Sequence, residues 1–178
     1  MRINISGIAG HENAHAEGDG TKAFGYASHS EGSETLASGT YSHAEGHSTI
    51  ASHMMSHAEG NNTTASADYG AHAEGNYTTA SGPYGSHAEG HYSVASGFTS
   101  HAEGRYTIAT KDNQHVQGKY NIEDTTNQGY AHIVGNGTDK DERSNAHTLD
   151  WRGNAWFSGD VYVGSTSGTN KDGGSVKL

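Results

Sequence analysis

Histidine and glutamate recur along this chain at a spacing that could bind a metal ion. His43 and Glu45 are two residues apart, so in a β-strand both side chains would lie on one face. Imidazole and carboxylate groups are both ligands of divalent transition metals. A metal centre needs several convergent ligands at one special place, whereas this His-x-Glu pair is repeated, ending at Glu17, Glu31, Glu45, Glu59, Glu74, Glu89 and Glu103. We therefore interpret the pairs as a structural ladder, with adventitious zinc or nickel binding as the alternative, and expect no resident metal or other cofactor.

The ladder has a predicted electrostatic role. Glutamates stacked at strand spacing repel one another. We expect the neighbouring histidines to donate hydrogen bonds to them and, below about pH 6.5, to add compensating positive charge.

The pairs belong to a longer repeat, Ser42-His43-Ala44-Glu45-Gly46, which returns about every fourteen residues from Ala14 to Gly118. A second motif, Ser/Thr-x-Ala-x-Gly, lies between successive copies, as in Thr35–Gly39. A coiled coil is excluded because the fixed positions carry small residues and glycine instead of large apolar side chains. The alternation predicts strands that turn Ser, Ala and Gly inward and His and Glu outward. Two such strands per rung predict an all-β fold, a parallel β-roll solenoid whose two sheets face each other through small residues.

The composition fits such a roll and excludes several partners. The 178-residue chain has 26 glycines, one proline and only 31% hydrophobic residues, so its core must consist of small side chains. Its formal charge is −10 without a basic cluster, which argues against nucleic acid as a partner. No apolar stretch approaches the roughly 18 residues of a membrane span, so we expect no membrane insertion, and no signal peptide is recognisable. Without cysteine there is no disulfide or thiolate metal site.

The sequence predicts three segments. The repeat gives eight rungs from Gly7 to Tyr120, with one-residue insertions at corners near Tyr69 and Tyr84, and we assign residues 1–120 to the roll. Residues 121–164 are predicted to form a β-rich module with a more conventional core, with strands at 146–151, 154–158 and 160–164, after a last copy of the motif at 131–135 that caps the roll. The Gly/Ser/Thr/Lys-rich residues 165–178 are predicted to be a flexible tail.

The repeat Ser-x-Ala-x-Gly in rungs of about fourteen residues resembles the head repeats of YadA-type trimeric adhesins over about residues 7–120. The resemblance implies a left-handed β-roll that assembles as a homotrimer, and a trimer would offset the small core of one chain. In that family the positions equivalent to His43 and Glu45 are usually apolar and face the threefold axis. Two interfaces are therefore open: a polar His/Glu interface, which we favour, or burial of the outward column of the other sheet, Leu36, Ile50, Thr64, Thr79, Val94 and Ile108.

The C-terminal sequence adds a second resemblance. Residues 143–151 and 153–164 are similar to segments of tail-fibre and tail-appendage proteins of phages and prophages of Gram-positive bacteria. This resemblance implies a virion-tail or extracellular protein that attaches to the bacterial surface and trimerises through its C-terminal module. The alternative is the head domain of a secreted trimeric autotransporter-type adhesin. The predicted trimer interface comprises His43, Glu45, His57, Glu59, His72, Glu74, His87, Glu89, His101, Glu103, Trp151, Trp156 and Phe157.

Tyrosines are the candidate receptor-binding residues. Tyr77, Tyr92, Tyr106 and Tyr120 are predicted to occupy the same corner of successive rungs. Their rings could stack on the sugars of a bacterial surface glycan or cell-wall polymer, or pack against neighbouring rungs or subunits. The sequence contains no nucleophile elbow, phosphate-binding loop or isolated carboxylate pair, so we do not expect an enzyme.

Overall fold

Two parallel sheets form the solenoid. The computed structural model describes residues 7–125 and 129–161, and within them the protein is all-β, with no helix. One sheet has eight strands and the other has eleven. The predicted parallel β-solenoid with rungs of about fourteen residues is confirmed. The predicted flexible tail, and residues 1–6 of the predicted roll, lie outside the described residues.

Short and long strands alternate along the chain. The short sheet contains strands of two residues: β1 Ile8–Ala9, β3 Lys22–Ala23, β5 Leu36–Ala37, β7 Ile50–Ala51, β9 Thr64–Ala65, β11 Thr79–Ala80, β13 Val94–Ala95 and β15 Ile108–Ala109. The long sheet contains strands of five residues: β2 His15–Asp19, β4 His29–Ser33, β6 His43–His47, β8 His57–Asn61, β10 His72–Asn76, β12 His87–His91, β14 His101–Arg105 and β16 His115–Lys119. Neighbouring strands pair in register, so Glu45 lies between Glu31 and Glu59.

Small side chains fill the space between the sheets, as predicted. Ala44 and Ala58 of the long sheet and Ala51 of the short sheet are completely buried. The Ser or Thr that precedes each strand is buried as well in most rungs. At the corner before β6, the Ser42 hydroxyl donates a hydrogen bond of 2.7 Å to the carbonyl of Gly39, which satisfies the hydroxyl and closes the corner.

Gly46 departs from the predicted alternation. It is exposed beside Glu45, whereas Ser42 and Ala44 are buried. Its φ of 105° rotates the backbone out of the regular pleat. A Cβ atom at this position would lie 2.2 Å from the carbonyl oxygen of Gly60 in the next rung. The prediction that Gly46 faces the interior is therefore wrong, and glycine is needed there because adjacent rungs approach closely at an outward-facing position.

Each rung turns through corner residues in the left-handed conformation, most of which are not glycine. Tyr41 has a φ of 59° at one corner and Tyr77 a φ of 56° at the other. The predicted one-residue insertions are confirmed by the pairing of His72 with both His57 and His87, fifteen residues away on each side. They lie in outward turns, where Gly70 has open space around it. An insertion there leaves the stacking of the rungs intact.

The long sheet continues beyond the last complete rung. β17, Tyr130–Asn136, pairs in parallel with β16 and places His132 beside His115. The predicted last copy of the motif thus extends the sheet. β18, Asn145–Asp150, and β19, Ala155–Phe157, then continue it in antiparallel order.

Asn121 ends the short sheet. Its Oδ1 accepts a hydrogen bond of 2.8 Å from the Ile108 N–H, and its Nδ2 donates one of 3.0 Å to the Ile108 carbonyl. Arg143 Nη1 donates to the carbonyl oxygens of Asn121 and Tyr106, at 3.0 and 2.9 Å. The side-chain amide of Asn121 therefore replaces the peptide group of a further strand, and Arg143 holds it in place.

The C-terminal strands do not build a conventional core within one chain. Two of the three predicted strands are confirmed as β18 and β19, whereas the first two residues of predicted strand 160–164 are not in a strand and the others lie outside the described residues. Trp151 is 55% exposed, Trp156 50% and Phe157 54%. A core built on these rings would need further chains.

Candidate functional site

Histidine rings form a continuous stack on the outer face of the long sheet. From His29 to His115 each ring lies nearly parallel to the next, with centroids 4.6–4.8 Å apart. His132, His147 and Phe157 extend the stack toward the C-terminus, with centroids 4.7–5.6 Å apart. One column therefore contains the histidines that were predicted to lie at the trimer interface and the C-terminal residue Phe157.

A row of glutamates runs beside the histidine stack. These glutamates and the exposed glycines that follow them line an open groove of about 770 Å³ from Glu17 to Glu89, and a second groove continues to Gln117. Hydrogen bonding with Glu74 lowers the pKa of Glu89, so this carboxylate stays ionised. Backbone is exposed in the groove at the glycines, and carboxylates line the groove along its length. These carboxylates give it a negative potential.

The contacts between histidine and glutamate change along the solenoid. In the early rungs each histidine approaches the glutamate of its own strand, as His43 Nε2 does with Glu45 Oε2 at 3.9 Å. From His72 onward each histidine approaches the glutamate of the preceding rung instead. These Nε2–Oε1 distances are 3.7 Å for His72–Glu59, 3.4 Å for His87–Glu74, 3.5 Å for His101–Glu89 and 3.4 Å for His115–Glu103.

The Nε2 atoms of the stack are covered but not hydrogen-bonded. Among the described residues, no group forms a hydrogen bond with Nε2 of His29, His43, His57, His72, His87, His101 or His115. The predicted hydrogen bonds from histidine to glutamate are therefore not formed at this nitrogen. A buried polar atom without a partner lowers stability unless water, an ion or another group meets it.

Burial favours the neutral form of the central histidines. Desolvation, followed by the charge of His72, lowers the pKa of His57. Desolvation and the next histidine in the stack likewise lower the pKa of His72 and of His87. Protonation of these three residues is therefore shifted to a pH below the predicted value of about 6.5, because burial and a charged neighbouring imidazole both disfavour it.

Among residues 7–125 and 129–161, four groups of three side chains bring possible metal ligands together, with one ligand atom from each side chain and all three within 4.8 Å of one another. Two groups contain two histidines and one glutamate, and the other two contain two glutamates and one histidine. In each group the third residue comes from an adjacent rung, so the spacing within one strand did not reveal it. The groups are His72, Glu74 and His87; His101, Glu103 and His115; Glu31, His43 and Glu45; and Glu45, His57 and Glu59.

The alternative interface is a column on the outer face of the short sheet. Strand pairing places its six predicted members in register. Ile50 is 37% exposed and the others are half-buried. Thr64 and Thr79 interrupt the apolar character of the column, so it is chemically less uniform than the His/Glu face.

The four tyrosines stack at one corner, as predicted. Neighbouring rings from Tyr77 to Tyr120 have centroids 4.6–4.8 Å apart and nearly parallel planes. Each inner ring is covered on both faces by its neighbours. Tyr77 ends the stack and is 44% exposed, whereas Tyr120 is only 5% exposed and lies under Arg105, whose Cζ is 5.3 Å from the ring centroid. Within this stack, Tyr77 therefore has one ring face that is not stacked on another tyrosine.

A second aromatic stack lies at the opposite corner. Tyr69, Tyr84 and Phe98 have ring centroids 4.9 and 5.1 Å apart. Tyr41 meets Tyr26 edge to face at 5.7 Å. Tyr41, Tyr69 and Tyr84 occupy the left-handed corner position, whereas Phe98 and Tyr26 each lie one residue before it.

The repeat also did not reveal a short ladder of amides after the exposed glycines. Asn76 Nδ2 donates a hydrogen bond of 3.1 Å to Asn61 Oδ1 in the preceding rung. Asn61 Nδ2 is 3.1 Å from Nδ1 of His47, one rung earlier. The signal for this ladder is the shared position of these residues, four residues after the strand histidine.

Residues 88–110 match the family model of the YadA head domain repeat, in two copies. Together with the parallel β-solenoid, this match supports YadA-type head repeats in the chain, and these repeats suggest an adhesin-like function. No curated protein and no solved structure matches the chain. The predicted homotrimer, the left-handed coiling of the roll and the tail-fibre role of the C-terminal segment stay predictions.

In the part of the chain that the structure describes, no helix has the length and apolar character needed to cross a membrane.

Proposed function

We propose that this chain is a non-enzymatic, homotrimeric attachment protein of a phage or prophage tail that binds a glycan or cell-wall polymer on a bacterial surface. The observation that carries the proposal is the combination of YadA-type rungs with aromatic side chains exposed at both corners. A solenoid repeats its surface about every 4.8 Å, and this regularity suits contact with a linear polymer.

The proposed trimer uses the His/Glu face of the long sheet. This face and the C-terminal strands belong to one sheet, and the histidine stack runs from His15 to Phe157 without a break. Exposed Trp156 and Phe157 lie at the end of the same sheet. One continuous interface could therefore bury both the polar ladder and Phe157, whose ring contacts His147, whereas Trp156 lies on the opposite face of the strand.

The proposed ligand is a neutral or amine-bearing glycan. The chain carries a net charge of −10, which would repel a polyanion. Sugar rings commonly stack on tyrosine faces, and Tyr77, 44% exposed, is stacked on another tyrosine on one side only. Tyr69 occupies the equivalent end position at the opposite corner and is 49% exposed.

A binding screen against bacterial glycans and cell-wall polymers tests this proposal. Tyr77→Ala is expected to weaken binding roughly tenfold, whereas Tyr77→Phe keeps the ring and should bind as the unmodified chain does. Binding that ignores Tyr77→Ala and Tyr69→Ala, yet is lost on replacing Trp151 and Trp156 with alanine, would move the receptor site to the C-terminal strands.

The head domain of a secreted trimeric autotransporter-type adhesin is the second candidate, favoured by the repeat match at residues 88–110. The two candidates differ in where the protein is found. Immunogold labelling with an antibody to this chain should mark phage or tail particles under the first proposal and the surface of intact producing cells under the second.

A further inference from the structure

Four covered nitrogen atoms in the later rungs lack a hydrogen-bond partner. They are Nε2 of His72, His87, His101 and His115, whose surfaces are buried although their side chains are only partly buried. Each faces the glutamate row, and among the residues described none forms a hydrogen bond through this atom. An imidazole nitrogen in this situation is suited to coordinate a cation.

The distances in these rungs fit a tetrahedral metal ion. Glu74 Oε1 lies 3.4 Å from His87 Nε2, and Glu103 Oε1 lies 3.4 Å from His115 Nε2. Two ligands bonded to zinc at about 2.1 Å in tetrahedral geometry are themselves about 3.4 Å apart. The third ligand of each group, on His72 or His101, lies within 4.8 Å of the other two, so rotation of the imidazole rings out of their parallel stack completes the set.

We propose that His72, Glu74 and His87 bind one divalent transition-metal ion and that His101, Glu103 and His115 bind a second. Zn²⁺ is the ion that the ligands and spacing fit best, with water at the fourth position. The two groups share no residue, so one chain can hold both ions. The groups around Glu45 offer only one imidazole each and share that glutamate, so they compete for a single ion.

The surrounding charge supports cation binding. The proposed ions would lie beside the carboxylate groove, where Glu59 and Glu89 carry further negative charge. A bound cation would reduce the repulsion between stacked glutamates and would give a partner to the covered nitrogens. The proposal rests on single-chain geometry and does not depend on the trimer or on the attachment function.

Native mass spectrometry tests the proposal, using the full chain stripped with EDTA and then titrated with Zn²⁺. Glu74→Gln and Glu103→Gln should each remove one ion, and the double variant should hold two ions fewer per chain than the unmodified protein. Glutamine fits this row, because Gln117 occupies the equivalent position in the next rung. These variants should therefore fold.

Glu17→Gln is the matched control, because Glu17 lies in the same row but belongs to none of the ligand groups among the described residues. It should retain both ions. Replacement of Zn²⁺ by Co²⁺ should give the intense visible absorption of tetrahedral cobalt, and this absorption should fall in Glu74→Gln but not in Glu17→Gln. Absence of bound ions, equal binding by every variant, or an equal loss in Glu17→Gln would overturn the proposal.

Discussion

The side chain of Asn121 pairs with both backbone groups of Ile108, at 2.8 and 3.0 Å, and so takes the place of a ninth strand in the short sheet. Open sheet edges recruit other chains, because their N–H and C=O groups lack partners. Asn121 caps Ile108 at this edge, and the Thr110 N–H donates to Gln114 Oε1, at the point where the long sheet continues alone into β17.

Asn121→Ala should therefore destabilise the solenoid from its C-terminal end. The substitution leaves the Ile108 N–H and C=O without partners, at a cost of roughly 2–3 kcal/mol. Hydrogen exchange should show faster exchange of the Ile108 amide, and light scattering should show association through the open edge. Glu123→Ala, at an exposed residue two positions further along the chain, is the control. Unchanged exchange at Ile108 would argue against the capping role.

A comparison of Gly46→Ala with Gly70→Ala distinguishes the cost of backbone strain from the cost of close packing between rungs. Both glycines have positive φ, so alanine costs each variant roughly 1–2 kcal/mol in strain. Only the Cβ at position 46 would also meet the next rung, at 2.2 Å from Gly60 oxygen, whereas position 70 is open. Denaturant unfolding should show a clearly larger loss for Gly46→Ala. Equal losses would mean that the rungs are not packed closely at this position.

Acid should destabilise the protein in a metal-free buffer. The pKa values of His57, His72 and His87 are lowered on folding, so between about pH 6.5 and the folded pKa the unfolded chain binds more protons. Stability is therefore greatest above about pH 6.5 and falls as the pH drops through the folded pKa values. Thermal unfolding followed by circular dichroism, with EDTA present, should give a lower midpoint at pH 5.5 than at pH 7.5.

The lowered pKa of Glu89 acts in the same direction at lower pH, since its stabilising contribution is lost as the pH falls from about 4.5 through the folded value. Replacing His72 with glutamine should flatten the dependence between pH 7.5 and pH 5.5. A midpoint that stays constant or rises on acidification would contradict the account of neutral, stacked histidines.

His57→Ala and Glu59→Ala should weaken the proposed trimer. His57 stacks on His43 and His72 with centroids 4.8 and 4.7 Å apart, so its removal breaks the column on both sides at a cost of roughly 1–2 kcal/mol per chain. The exposed corner residue His53 provides the control His53→Ala. Unchanged melting and an unchanged trimer mass in both ladder variants would exclude the His/Glu face and favour the column that contains Ile50.

The periodic features of the fold were predictable from the sequence. Ala44 and Ala58 occupy equivalent positions in successive repeats, and this periodicity was sufficient to predict parallel strands, rung length and a core of small residues. The insertions at Gly70 and Gly85 were predictable for the same reason, because every later copy of the motif is shifted by one residue.

Features that break the period, or that depend on adjacent rungs, were not predictable. Simple alternation placed Gly46 inside because it assumes regular extended backbone, which a positive φ abolishes. Asn121 occurs once, so no repeat identified it as a cap. His87 approaches Glu74 of the preceding rung, and burial by the stack lowers the pKa of His87. The spacing within one strand predicts neither of these effects.

Native mass spectrometry of the full chain in EDTA shows whether the proposed attachment protein is a homotrimer. We expect a dominant species of three times the 18.6 kDa chain mass, which Glu59→Ala shifts toward single chains at the same concentration. A single-chain mass for the unmodified protein would contradict it.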